Sequence, residues 1–85
     1  MNKPEYGIGT QFIMPAKNRK DIATIFDINY YRNFKGEFKG FDYCVTYDFL
    51  GEQINTVVAR STIKRAELNG KMIKKVEYKN PKWME

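Results

Sequence analysis

Side chains that could do chemistry are few in this sequence. It contains no histidine, Cys44 is its only cysteine and Ser61 its only serine. Nucleophilic catalysis by serine or cysteine needs an adjacent base, and the usual base is histidine. Carboxylates such as Asp42 with Asp48, or Asp27 with Asp42, could share acid–base work. At alternating positions of a strand, however, such residues usually form the solvated face. We therefore expect a protein that is not an enzyme.

Metal and cofactor sites also lack their usual ligands. A zinc site takes several cysteine or histidine ligands, and a calcium loop takes closely spaced oxygen ligands around a glycine. Gly7 and Gly9 in "YGIGTQF" lack the third glycine and the following helix of a dinucleotide fingerprint. We expect no metal and no cofactor.

Aromatic rings interleaved with positive charge are the remaining signal. Rings at the edge of a small β domain can stack on bases while cations follow the phosphates, and protein interfaces are enriched in the same residue types. The alternative is structural, with Phe34 covering a hairpin and the lysines solvated. The candidate binding residues are Lys17, Arg19, Lys20, Tyr31, Arg32, Phe34, Lys35, Lys64 and Arg65.

Length and composition bound the class of protein. A chain of 85 residues makes one domain, and its 15% aromatic residues are the natural filling for a small core. One cysteine excludes an intramolecular disulfide and favours the cytoplasm. No apolar run is long enough for a membrane span. The net charge of +5, concentrated toward both ends of the chain, favours acidic partners.

The elements that must position these side chains are strands. Apolar residues alternate from Phe41 to Phe49, with Cys44 on the less apolar face as an inert thiol, and residues 22–31 predict a second strand. Its inward face is predicted to carry Ile22, Thr24, Phe26, Ile28 and Tyr30. Asn33 and Gly36 predict the turn between these two strands, and Gly51 predicts the next turn.

The rest of the chain completes an all-β prediction. Residues 10–14 and 53–60 predict two more strands. Residues 61–68 could form a helix, with Ser61 as its cap and Asn69-Gly70 at its end, but fewer than ten residues make a marginal helix. We favour one helical turn from Ser61 to Lys64 with a short strand after it, and Asn69-Gly70 as a hairpin turn into a last strand at 71–79.

The lysines of this last part of the chain form a basic run that ends at Trp83, and an exposed ring among lysines could anchor in a groove or at an anionic surface. Lysines on a terminal edge strand also protect it against aggregation, and we favour this second interpretation. The sequence thus predicts a five- to six-stranded SH3-like barrel over residues 9–79, with 80–85 as a flexible tail.

The pattern "GTQF … ATIFDI … NFKGEF … YCVTYDFLGEQI … STIKR", between Gly9 and Arg65, resembles small uncharacterised bacteriophage-encoded proteins with an SH3-like barrel. The resemblance covers about two thirds of the chain and carries no functional residue with it. It implies a phage or prophage setting, in which small proteins commonly bind and inhibit a host enzyme or defence complex. The net charge of +5 departs from the acidic DNA mimics among such inhibitors.

Three hypotheses about function follow. The first is a non-enzymatic module that binds and modulates a host protein through the rim around Tyr31, Arg32, Phe34 and Lys35. The second is a nucleic-acid-binding barrel that uses Lys17, Arg19, Lys20, Lys64 and Arg65, with affinity that falls as salt rises. The third is a structural subunit. The chain is expected to be a monomer or a homodimer.

Overall fold

The computed structural model describes residues 3–15 and 21–84. Within these residues the chain forms five antiparallel strands in one open sheet, together with one short helix. In chain order the elements are β1 (Gln11–Ile13), β2 (Ile22–Arg32), β3 (Phe38–Phe49), β4 (Glu52–Val58), α1 (Arg60–Leu68) and β5 (Met72–Lys74), followed by a 3₁₀ turn at Lys82–Met84. The β character predicted from the sequence is confirmed.

The sheet has the strand order β4-β3-β2-β1-β5. Four consecutive strands form a meander, and β5 returns to pair with β1 of the same chain. In the described part of the chain β4 and β5 are the two edges and do not pair with each other. The predicted closed SH3-like barrel is therefore not confirmed, because the sheet stays open.

Two turns join the three long strands. In the first, the side-chain oxygen of Asn33 accepts hydrogen bonds from the backbone of Lys35 and Glu37, at 2.9 and 3.0 Å. The second places Leu50 and Gly51 at φ values of 50° and 86°. Two central residues with positive φ make a type I′ hairpin turn, which suits the twist of the strands and favours glycine. Both predicted turns are confirmed.

The face predicted for β2 is half wrong. Ile25 pairs with Val45 and Asp27 with Cys44, so Phe26 is an extra residue at a β-bulge. The bulge reverses which side chains point inward: Ala23 and Ile25 are buried before it and Ile28 after it, whereas Ile22 and Phe26 are exposed. On β3 the predicted inward face is confirmed in its centre, where Tyr43 and Val45 are fully buried.

The segment after β4 is a nine-residue helix rather than the predicted single turn. Its buried residues, Ile63 and Ala66, join the core beneath it, and this tertiary contact stabilises a helix that is marginal by length alone. The predicted hairpin turn at Asn69-Gly70 is wrong. Gly70 N–H donates to Glu67 C=O and Lys71 N–H to Ala66 C=O, the two bonds of a Schellman helix end.

The amino-terminal residues and the residues after β5 pack together. Gly7 N–H donates to Val76 C=O at 2.7 Å, and Thr10 Oγ1 accepts from Val76 N–H at 3.0 Å. A Cβ atom on Gly7 would lie 2.4 Å from Glu77 O, closer than any real contact, so only glycine fits. This docking replaces most of the predicted strand at 71–79, of which only Met72–Lys74 is strand.

Candidate functional site

Residues 76–83, hereafter the C-terminal segment, lie over the end of the β2–β3 hairpin. The segment begins beside Thr10, which pairs with Ile25, and ends at Trp83, whose ring contacts Tyr30. It therefore runs alongside β2 in the same direction. β1 covers β2 only over its first residues, 22–24, so the later part of β2 has the C-terminal segment as its neighbour on that side.

An aromatic cluster joins this segment to the hairpin. The hydroxyl groups of Tyr30 and Tyr78 are hydrogen-bonded at 2.6 Å. The Trp83 ring lies 5.4 Å from the Tyr30 ring in an edge-to-face arrangement and 5.9 Å from the Phe38 ring. Burial, and then the hydrogen bond to Tyr78, raise the pKa of the Tyr30 phenol, so this hydroxyl stays protonated at physiological pH. We call Tyr30, Phe38, Tyr78 and Trp83 the distal aromatic cluster.

Arg32 is a cation that packs against the distal aromatic cluster. Its guanidinium carbon lies 4.4 Å from the centre of the Phe38 ring and 5.5 Å from that of Trp83. A guanidinium that lies over one ring and beside a second is restricted in its orientation, and its N–H groups can still donate. Arg32 is exposed and forms no ion pair with any other described residue. It can receive a carboxylate or a phosphate.

A groove of about 610 Å³ lies between β2 and the C-terminal segment. Its walls come from β2 between Asp27 and Arg32, from residues 76–83, and from Ile8. Asp27 and Glu77 lie toward one end, and Arg32 and Trp83 toward the other. A groove of this volume suits a small molecule or a few residues of a peptide.

Positive charge surrounds the Arg32 end of the groove. Five cations belong to the hairpin end or the C-terminal segment: Arg32, Lys35, Lys39, Lys79 and Lys82. None of them forms an ion pair within residues 3–15 and 21–84, and Glu37 is the acidic residue of the turn. Of the nine lysines and arginines in the described residues that form no ion pair, five therefore lie here.

Three cations near α1, Arg60, Lys64 and Lys75, are used in ion pairs instead, whereas Arg65 forms none with any described residue. Glu5 contacts Arg60 and Lys64, and Glu67 contacts Lys64 at 3.3 Å and Lys75 at 3.2 Å. The hydrogen bond from Arg60 lowers the pKa of the Glu5 carboxyl, and the bonds from Lys75 and Tyr6 lower that of Glu67. This network joins the amino-terminal residues, α1 and the residues after β5.

The predicted binding residues therefore divide into separate groups. Tyr31, Arg32, Phe34 and Lys35 lie together at the hairpin end, where Phe34 is 95% exposed rather than packed over the core. Lys64 and Arg65 lie on α1, which packs against the start of the sheet, and Lys64 is held in the ion-pair network. Arg32 lies ten residues after the start of β2, or roughly 33 Å along the strand. Lys17, Arg19 and Lys20 lie outside the described residues.

Tyr31 points away from the groove. Its hydroxyl donates to Asp42 on the outer face of the sheet, and this bond raises the pKa of the phenol. Trp83, Lys79 and Tyr78 were not among the predicted binding residues. The run "EYKNPKWME" contained a usable signal, because two rings among lysines, beyond the last strand, need an apolar surface to cover.

Cys44 lies on β3, where it pairs with Asp27 of β2 and shares the outer face with Asp42. Burial, followed by these two carboxylates, raises the pKa of its thiol. A thiol with a raised pKa carries little thiolate and is a poor nucleophile. Residues 3–15 and 21–84 contain no group of three or more histidine, cysteine, aspartate or glutamate side chains arranged to hold a metal ion.

No protein-family model matches this chain, and no significant match was found among curated proteins or solved structures. In the described part of the chain no helix is both long enough and apolar enough to cross a membrane.

Proposed function

We propose that this protein is a non-enzymatic binding module that holds a short acidic segment of another protein in the groove beside the distal aromatic cluster. The observation that carries the proposal is the stacked guanidinium of Arg32 at the mouth of an open groove. It combines a fixed charge donor with apolar walls, as peptide-binding sites do. The partner segment would place a bulky apolar side chain in the groove and a carboxylate against Arg32.

The charge distribution supports an acidic partner. Long-range attraction depends on cations that are not already neutralised, and the groove end carries five of these, whereas Arg60 and Lys64 of α1 are paired with carboxylates. Binding of an acidic segment here would bring its negative charge within reach of Lys79 and Lys82. The resemblance to small phage-encoded proteins makes a host protein the natural candidate for this partner.

A selection from a displayed library of ten-residue peptides tests the proposal. Wild-type protein should enrich sequences that combine aspartate or glutamate with a bulky apolar residue. Synthetic versions of the enriched peptides should bind at least tenfold more weakly to Arg32→Gln and to Trp83→Ala. Arg65→Gln is the matched control, because it removes the same charge from the exposed face of α1 and should leave affinity unchanged. Absence of enrichment, or equal losses in Arg32→Gln and Arg65→Gln, would contradict the proposal.

Single-stranded nucleic acid is the second candidate, and one observation favours it. Phe34 and Trp83 are exposed rings, 95% and 58% accessible, in the part of the molecule that carries the five free cations. Bases could stack on these rings while lysines follow the backbone. Titration with a 25-residue oligothymidylate would then show binding that weakens steeply between about 50 and 200 mM salt. Peptide binding without oligonucleotide binding would exclude this candidate.

A further inference from the structure

The two edges of the sheet differ in how well they resist pairing with another strand. β5 is three residues long, ends in Lys74 and is flanked by Lys71 and Lys75, which is the usual protection of an edge. β4 is seven residues long, keeps an unbroken register with β3, and has no lysine, proline or bulge. From Gln53 to Val58 it carries no charge at all.

The backbone groups that β4 leaves free follow from its turn. In a two-residue hairpin the flanking pair, here Phe49 and Glu52, exchanges both hydrogen bonds. Alternation then directs the N–H and C=O groups of Ile54 and Thr56 toward β3. Those of Gln53, Asn55 and Val57 point outward from the sheet. The free backbone N–H donors and C=O acceptors of these three residues are arranged symmetrically about Asn55.

We propose that β4 is a dimer interface, on which a second copy of this chain pairs its own β4 antiparallel about a two-fold axis at Asn55. In this register Asn55 lies opposite Asn55 of the second copy and Gln53 lies opposite Val57, so about six hydrogen bonds join the two strands. The two open sheets become one continuous sheet of ten strands. Like charges do not lie opposite each other, because Glu52 faces Val58.

Exposed apolar side chains beside β4 add to the argument for a second copy. Leu50 and Val57 are 82% and 51% exposed and flank the free edge at its two ends. The antiparallel arrangement brings the Leu50 turn of one copy toward the end of β4 in the other. Because a contact along one edge is small, the dimer should be weak, with a dissociation constant roughly in the micromolar range.

The interface is independent of the groove. Arg32 and Trp83 lie near the end of β2 and in the C-terminal segment, and β3 separates β2 from β4. Loss of the dimer would therefore leave the binding of acidic peptides intact, and loss of the groove would leave the dimer intact.

Sedimentation velocity over a range of concentrations tests the association. Wild-type protein should shift from monomer toward dimer as its concentration rises. Asn55→Lys places two ammonium groups opposite each other at the axis and should raise the dissociation constant at least tenfold. Ile73→Lys, which adds the same charge at the half-exposed surface of β5, should leave association unchanged. Circular dichroism would show that both variants keep the sheet.

Disulfide formation tests the register. In a Cys44→Ser background, Asn55→Cys should form a disulfide-linked dimer under mild oxidation, because the two Cα atoms would lie about 5.5 Å apart. Gln53→Cys is the control, since its two copies would lie about four residues apart along the strands, too far for a bond. A protein that stays monomeric, equal cross-linking of the two variants, or a dimer unaffected by Asn55→Lys would overturn the proposal.

Discussion

The side chains of the sheet that lie under α1 are fully buried, whereas those at the end of the β2–β3 hairpin are only partly covered. The side chains where α1, the amino-terminal residues and the sheet pack together are fully buried: Tyr6, Phe12, Ile25 and Ile63. At the hairpin end Tyr30 and Phe38 are half-buried, Trp83 is 58% exposed, and the groove remains open. We call these parts the proximal and distal halves of the sheet.

The difference shows how a short chain can combine stability with a binding surface. Full burial of rings and aliphatic side chains provides most of the folding free energy. A site that must admit a ligand has to leave similar side chains partly exposed and give up part of that energy. The proximal half therefore stabilises the fold, and the distal half carries the binding surface. The distal half gives up less folding free energy than its exposure suggests, because hydrogen bonds and packed rings still hold the C-terminal segment.

The largest contrast is expected from ring deletions in the two halves. Phe12→Ala removes a fully buried ring from β1, which has strands on both sides, and should lower the free energy of unfolding by about 3–5 kcal/mol. Trp83→Ala removes a larger ring from the distal half but should lower it by less than about 1.5 kcal/mol, since that ring is already largely in solvent. Urea denaturation followed by circular dichroism measures both. Equal losses would show that the distal half is as well packed as the proximal half.

A substitution at Gly7 tests the junction between the two halves. Gly7→Ala forces its Cβ against the carbonyl of Glu77 and should cost about 2 kcal/mol, typical of overpacking. It should also displace the start of the C-terminal segment and shift the emission of Trp83, the only tryptophan. Gly40→Ala is the control, because a Cβ atom there would meet nothing within 4 Å beyond its chain neighbours. An unchanged emission spectrum in Gly7→Ala would mean that the segment is held by its distal contacts alone.

Local patterns in the sequence were sufficient for β1 to β4 and for two of the turns, but not for the extent of β5. Alternation at Tyr43 and Val45 reports burial directly, and the turn residues Asn33 and Gly51 specify backbone geometry within a few positions. The bulge at Phe26 could not be predicted, because apolar residues occupy both alternating sets of positions in this strand. Ile22 and Phe26 belong to one set, and Ala23 and Ile25 belong to the other. Only pairing with β3 decides between them.

Long-range contacts explain the remaining differences. A nine-residue helix is marginally stable unless tertiary contacts support it, and in α1 these contacts come from Ile63 and Ala66 in the core. The sequence pattern alone therefore predicted a shorter helix than the structure has. The hairpin residues of the binding surface were predicted from rings and charges that are adjacent in sequence. The contribution of Trp83 and Lys79 depends on the chain returning to β2 from about fifty residues further on. The pairing of Lys64 with Glu5 likewise depends on the tertiary fold.

A hydroxyl deletion within the distal aromatic cluster has a smaller expected effect. Tyr30→Phe removes the hydrogen bond to Tyr78 and should lower the free energy of unfolding by about 1 kcal/mol. Tyr31→Phe removes a hydroxyl from the same strand on the exposed outer face and should cost less than about 0.5 kcal/mol. Urea titrations of both variants make the comparison. If Tyr31→Phe proves more damaging than Tyr30→Phe, the Tyr30–Tyr78 bond does not hold the C-terminal segment.

The smallest effect is the acid dependence of the proximal half. Because the pKa values of Glu5 and Glu67 are lowered by folding, their stabilising contribution is complete above the unfolded pKa near 4.5 and is lost as the pH falls through the folded values. The melting temperature should therefore be flat from pH 7 to about 5 and fall below that. Glu67→Gln keeps an acceptor for the Tyr6 hydroxyl but removes the charge, so it should weaken this fall by an amount worth about 1 kcal/mol or less. Glu52→Gln, at the exposed start of β4, is the control and should leave the profile unchanged. A Glu67→Gln profile that matches wild type would show that the ion-pair network does not distinguish the proximal half, leaving apolar burial as the whole of the difference.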